Sequence, residues 1–329
     1  MSEPQPFVVP LASQPNRRSQ FLQWVRFLCP LFAIGALVYI CIVASQDFPI
    51  LFDKSIAISW GVLLLSEVFL FSFFILLIQG WRLILVRLDG SKLSFRTAFC
   101  VWWLSQSAHY VPGRILLWVS RYALVSPYGI SFQTVSLSLV LEHVLLALGA
   151  VLVFVLFSLA HVANLLDYWL WVVIGTVGGS CIVLSPSFLQ KAIDLWARLR
   201  KQPRIQLRLN WPDIILLSGF YILVWVVGGA GFVLLLASLI QIEPESWVLL
   251  VGIFPFAWLC GLLSIIAPGG LGVREAILGI LLANFMPVPI ATFVAISSRI
   301  WWMIVEGASF FIALLLKRFH RSPAQIHVS

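Results

Sequence analysis

A chain of 329 residues in which 61% are hydrophobic and 10% charged, with a mean hydropathy of +1.02, lies far from the about 45–50% apolar and about 25% charged residues of a soluble domain. That balance excludes a soluble globular protein and describes a polytopic, all-α integral membrane protein. The net charge of +8 gives no case for nucleic acid as a partner, because Lys and Arg in such a chain first fix topology against the anionic cytoplasmic leaflet.

The first 20 residues are polar and proline-containing, unlike a secretory signal with its short apolar core. They read as a cytoplasmic N-terminal segment, and the first span, near 22–45, is expected to stay in the membrane. Further runs of the some 20 residues needed to cross about 30 Å of hydrocarbon fall near 58–80, 133–160, 167–186, 213–240 and 288–316. Regions 94–126 and 247–286 are apolar but broken by Pro-Gly. Basic residues gather at Arg17 and Arg18, from Arg82 to Arg96, from Lys191 to Arg208, and in the tail from Lys317; these segments should all be cytoplasmic. The connections 46–57, 161–166 and 241–246 are poor in positive charge and should be external.

With both termini inside, region 94–126 must enter from the cytoplasm and return. Region 247–286 starts outside and must return outside, either as a hairpin or as two short spans. The expected fold is therefore about six full spans plus two Pro-Gly-broken re-entrant hairpins, about eight hydrophobic segments in all. The order span, span, hairpin, span occurs twice in opposite senses, over 21–160 and 167–316. That is an inverted-topology repeat within one transmembrane domain, an arrangement whose binding site lies near the midplane where broken helices meet.

The cysteines (Cys29, Cys41, Cys100, Cys181 and Cys260) lie far apart in apolar segments and read as small buried hydrophobes. The histidines form no H-E-x-x-H-like pair. Neither set predicts a metal or redox centre, and no cofactor is expected. The G-x-x-x-x-G-K-[ST] phosphate loop is absent from the sequence, so any drive must come from a gradient or from a concentration difference of the substrate itself.

The two breaks are the most informative stretches. "HYVPGRILLW" (109–118) and "APGGLGVREA" (267–276) each place Pro-Gly and then Arg where one apolar helix stops and another begins. Irregular backbone at membrane depth must be buried in protein or line a wet cavity. Arg114 and Arg274 would sit in the first turn of the following helix, where the helix dipole already disfavours a cation. A bound anion relieves both, since a helix N-terminus is an anion site and arginine recognises phosphate bidentately.

Internal carboxylates are the alternative partners. Glu142 and Glu306 occupy similar places in the spans after the two hairpins. They are candidate counter-ions for Arg114, Arg121, Arg274 and Arg299, either as static pairs or as carboxylates that exchange partners or protons during transport. Glu275, next to Arg274, must point to a different helix face, and Glu67 reads as a satisfied buried carboxylate. Arg114, Trp118 and Arg121 fall at i, i+4 and i+7 on one face, a stripe suited to a lipid headgroup. Trp118, like Trp102, Trp103, Trp301 and Trp302, is also explained as an interface anchor.

"YVPGR" followed by Glu142, and later "PGGLGVREA", resemble the transmembrane domain family of lysylphosphatidylglycerol synthases, also called the flippase-like domain family, over about residues 20 to 316. The resemblance implies a domain that moves a phospholipid, in the best-known members an aminoacylated phosphatidylglycerol, between leaflets. It assigns motif positions to Tyr110, Pro112, Gly113, Pro268, Gly269, Gly270, Gly272, Arg274 and Glu275. Residues 317–329 are expected to be only a cytoplasmic tail, so the synthase activity of the full-length members is not carried over. The expected function is a flippase for a phospholipid or other anionic lipid in a bacterial-type plasma membrane, not an enzyme. The alternatives are an accessory subunit beside a partner synthase, or a homo-oligomer in that role, and an integral-membrane headgroup transferase. The basic loop 187–212 offers a transferase only Asp194 as an acid.

Overall fold

The computed structural model describes residues 58–106, 115–159, 169–199, 209–243, 245–264 and 272–318. The expected span near 22–45 lies outside them, as do both Pro-Gly motifs. The described residues form helices and connections without a strand: α1 (Trp60–Asp89), α2 (Phe95–Gln106), α3 (Ile115–Val125), α4 (Phe132–Phe154, continuing as a π-turn over Val155–Leu159), α5 (Trp169–Leu184), α6 (Pro186–Leu199), α7 (Trp211–Leu239), α8 (Ser246–Leu250), α9 (Ile253–Leu263), α10 (Val273–Leu282) and α11 (Val288–Arg318). Helix is the form that satisfies every backbone group within its own segment, which lipid demands. Among the described residues five stretches are long and apolar enough to cross a bilayer, namely α1, α4 with its π-turn, α7, the continuous run Ser246–Leu263, and α11. A sixth is available if α5 and α6, bent by 48° at their junction, are taken as one span. The chain is an all-α polytopic membrane bundle.

The bundle is organised around α1 and α7, its most extensive helix pair. They run antiparallel and are tied at both ends: the Ser59 amide donates to the Ser238 carbonyl at 2.8 Å, and the Arg87 guanidinium pairs with Asp213. Asp213 also accepts from the Asn210 amide at the start of α7. Between these ties the helices close on each other through glycine. A Cβ added to Gly80 would stand 2.9 Å from the Tyr221 ring, and one added to Gly228 would stand 2.7 Å from the Phe73 ring. The contacts are reciprocal, because Gly80 is separated from Gly228 by the same number of residues as Phe73 from Tyr221. Small residues that admit close backbone approach are what membrane helices use where apolar burial alone gives no drive to associate.

Basic residues mark one end of this pair. The Arg96 guanidinium at the start of α2 donates to the Leu316 carbonyl near the end of α11, 3.1 Å away. The Trp81 indole, near the end of α1, donates to Ser138 near the start of α4 at 3.0 Å. Helices α2 and α3 therefore enter and leave by the same end, and at 12 and 11 residues each rises only about 16–18 Å, roughly half the hydrocarbon thickness. The second broken region mirrors the first from the opposite end. There the Ser158 hydroxyl donates to the Leu249 carbonyl, and a Cβ on Gly252 would collide with Phe154 backbone, fixing the start of α9 at the end of α4. Ten-residue α10 rises about 15 Å and returns to the end where α11 begins.

Two sequence expectations need correction. Cys181 is exposed on α5, while Cys100 and Cys260 are only partly covered, so these cysteines are not buried hydrophobes. Trp102, Trp103 and Trp301 are not interface anchors, for they are 3%, 1% and 2% exposed in the core. The exposed indoles belong instead to Trp60, Trp171, Trp211 and Trp247, each in the first turns of its helix, where amphipathic rings meet headgroups.

If the α1–α7 seam depends on glycine, Gly228→Val should destabilise the protein by about 1–3 kcal/mol through overpacking. Gly219→Val on the same helix, with open space around it, should be close to neutral. Thermal midpoints of the detergent-solubilised variants test this, and equal losses would count against the seam.

Candidate functional site

Both hairpins carry a buried arginine on their second helix, held in each case over two aromatic rings. On α3, Arg121 is 1% exposed, with its Cζ 5.0 Å from the Trp81 ring centroid and 5.7 Å from that of Trp102. Its Nε donates to the Ser105 hydroxyl at 3.1 Å and its NH1 to Glu142 Oε2 at 2.7 Å. The other Glu142 oxygen accepts from the Trp102 indole at 3.1 Å, and Ser105 passes its own proton to the Trp102 carbonyl. This closed network binds α1, α2, α3 and α4 together. Of the two roles open to Glu142, static counter-ion describes this geometry. Arg121 accordingly turns into the protein rather than joining an open basic stripe with Arg114, which lies outside the described residues.

On α10, Arg274 is 3% exposed, its Cζ 4.8 Å over the Phe254 ring and 4.9 Å over that of Trp302. Helix α10 begins at Gly272, whose φ of 81° is a left-handed value open mainly to glycine. The Gly272 amide donates to Glu275 Oε2 at 2.8 Å, the return half of a capping box. Glu275 thereby faces away from Arg274, as the spacing requires. Its other oxygen looks toward α11, where Arg299 NH1 is 3.9 Å distant. That separation is an ion pair but too long for a hydrogen bond, and both Glu275 Oε1 and Arg299 Nε are buried without a hydrogen-bond partner. Arg299 itself is 3% exposed.

Between the two hairpins lies a cavity of about 70 Å³, open on one side. Its wall draws on α1 (Phe74), both hairpins (Gln106, Leu117, Trp258, Gly261, Leu262 and Arg274), α4 (His143) and α11 (Arg299, Trp302 and Glu306). Phe74 stands midway along α1, and Arg299, Trp302 and Glu306 span the middle of α11, so the cavity sits at mid-depth. Gln106 and Leu117 flank the first motif in sequence, and Leu262 and Arg274 flank the second. Tyr110, Pro112, Gly113, Arg114, Pro268, Gly269 and Gly270 lie outside the described residues. Of the remaining candidates, Arg274, Arg299 and Glu306 share the cavity wall, Glu275 and Gly272 adjoin it through the cap, and Arg121 and Glu142 form the closed network behind it.

Sequence reasoning missed His143 and Gln106. His143 follows Glu142, and the 100° step of an α-helix sends Glu142 toward Arg121 while His143 faces the cavity; its Nδ1 lies 2.8 Å from the Leu139 carbonyl. Neighbouring charge in "LEHV" was the available signal. The rings beneath the arginines were also missed, since a tryptophan that covers a guanidinium and one that anchors at an interface look alike in sequence. Cation–ring contact of this kind is favourable, more so once desolvated.

The cavity therefore offers two buried cations, a carboxylate, an imidazole, an amide and indole faces at mid-depth, a lining able to take an anionic group with an amphiphilic remainder. No protein family matches the chain, and no curated protein does either.

Removing one partner of the closed pair should be costly, because an uncompensated buried charge is left behind. Glu142→Ala is expected to lose about 3–5 kcal/mol, and Arg121→Met combined with Glu142→Leu should recover part of that loss. Denaturant unfolding in micelles measures both; a double variant no more stable than Glu142→Ala would contradict a structural pair.

Proposed function

We propose that the protein moves a phospholipid or another lipid with an anionic headgroup between the leaflets of its membrane, and that it belongs to the flippase-like family it resembles. The observation that carries this reading is the mid-depth cavity between two hairpins that enter from opposite ends, with Arg274 and Arg299 in its wall. A charged side chain at that depth costs about 2.5–3.5 kcal/mol on insertion scales and marks a substrate pathway more often than a structural site. The headgroup phosphate occupies the guanidinium side of the cavity while acyl chains stay in lipid. We take the basic end, with Arg87, Lys92, Arg96 and Lys317, as the cytoplasmic one; with the expected span near 22–45 crossing once, both termini lie in the cytoplasm of a bacterial-type cell.

Transbilayer movement of labelled lipids in liposomes holding the purified protein tests the reading. Wild type is expected to move anionic lipid above empty liposomes. Folded Arg274→Ala should move it at least about tenfold more slowly, since a hydrogen bond to a charged group is worth about 1.5–3 kcal/mol. No movement by wild type would overturn the flippase and turn attention to an accessory or transferase role. Equal movement by both would keep a carrier and remove Arg274 from its path.

A further inference from the structure

Among the described residues, the Arg121–Glu142 and Arg299–Glu275 pairs are built differently. Arg121 and Glu142 meet at 2.7 Å, and both Glu142 oxygens are hydrogen-bonded. Arg299 and Glu275 face each other across 3.9 Å, close enough to attract yet leaving Arg299 Nε and Glu275 Oε1 buried without a hydrogen bond. The looser pair is the one on the cavity, since Arg299 lines its wall. Glu275 cannot close the gap by simple rotation, because its second oxygen is held by the Gly272 amide at the start of α10.

A fixed carboxylate at ion-pair distance from a cation with an unused, buried donor is a weak internal substitute for an anion that binds better. We propose that Glu275 is the resident counter-ion of Arg299, displaced when a phosphate-type anion enters the cavity. The arginines supply the affinity, and Glu275 tunes it and times release. In the empty cavity Glu275 neutralises Arg299 well enough for it to stay buried. When the anion arrives, Arg299 donates to it through Nε and a terminal nitrogen, the fork that suits phosphate. When the anion leaves, Glu275 takes the charge back, so the cation is never left bare and the ligand is never held too tightly to depart. This rests on the anionic-lipid reading above and names the residue that tunes that site.

The test uses Glu275→Gln, which removes the charge and keeps an oxygen for the Gly272 amide, as Gln does at this helix position. Equilibrium binding to the purified full chain is measured with three probes: labelled phosphatidylglycerol, labelled phosphatidylcholine and inorganic phosphate. Glu275→Gln should bind phosphatidylglycerol about tenfold more tightly than wild type, or ~1.4 kcal/mol, and move it more slowly across liposomes. Arg299→Gln should weaken binding, and in the double variant the gain from Glu275→Gln should vanish, a coupling expected only if the two side chains act on each other. If wild type binds phosphatidylglycerol and Glu275→Gln binds it no more tightly, or the gain survives loss of Arg299, the counter-ion role is overturned and the lipid reading stands. Tighter binding of inorganic phosphate by Glu275→Gln, with phosphatidylglycerol bound by neither wild type nor variant, would keep the counter-ion and remove the lipid. If wild type binds none of the three probes, both readings fall.

Discussion

A guanidinium cannot be left bare at the depth of the acyl chains, and the described half-helices are arranged around that constraint. Desolvating a charge is tolerable only when hydrogen bonds and an opposite charge replace water. Arg121 meets the demand completely, with a carboxylate, a hydroxyl and two indole faces from three other helices. Because those partners come from α1, α2 and α4 while Arg121 is on α3, satisfying one side chain also fixes how the first hairpin sits against the bundle. The second hairpin repeats the plan with aromatic faces under Arg274, but its carboxylate is set toward Arg299 and held short of full contact. One half of the molecule is thus closed around Arg121, whereas the other leaves Arg299 Nε buried without a hydrogen bond.

What allows both hairpins to reach the same depth is the α1–α7 pair. Two antiparallel helices that meet through reciprocal glycine and aromatic contacts form a self-complementary interface, the kind a two-fold relation produces. Helices α2 and α3 enter from one end of that seam and α10 returns to the other, and the cavity lies where they approach each other. Depth is set by helix length, since ten to twelve residues cannot cross. Position is set by the partner across the bundle: α2 lies along the end of α11, and α9 along the end of α4.

Most of this order was legible in the sequence, because hydropathy and Pro-Gly breaks report directly on length and interruption in lipid. The spans expected near 58–80, 133–160, 213–240 and 288–316 are present, and Glu142 does pair with an arginine. The partners were not. Sequence spacing places Arg274 and Glu275 on different faces but does not say what either face meets, and Arg299 lies on a helix 25 residues further along. The tryptophans misled for a related reason. Indoles are favoured both at interfaces and over buried cations, and only the packing of α2 and α11 against α1 separates Trp102 and Trp302 from Trp60 and Trp211.

The central claim is that an anionic headgroup enters the mid-depth cavity between the two hairpins. A photoreactive side chain in place of Leu262, on the cavity wall between the hairpins, tests it most directly in membranes of mixed phosphatidylglycerol and phosphatidylcholine. The account predicts adducts on the glycerol headgroup of phosphatidylglycerol in excess of its share of the bilayer, reduced when Arg274 and Arg299 are replaced. Adducts confined to acyl chains, in proportion to bulk lipid and indifferent to the arginines, would contradict it.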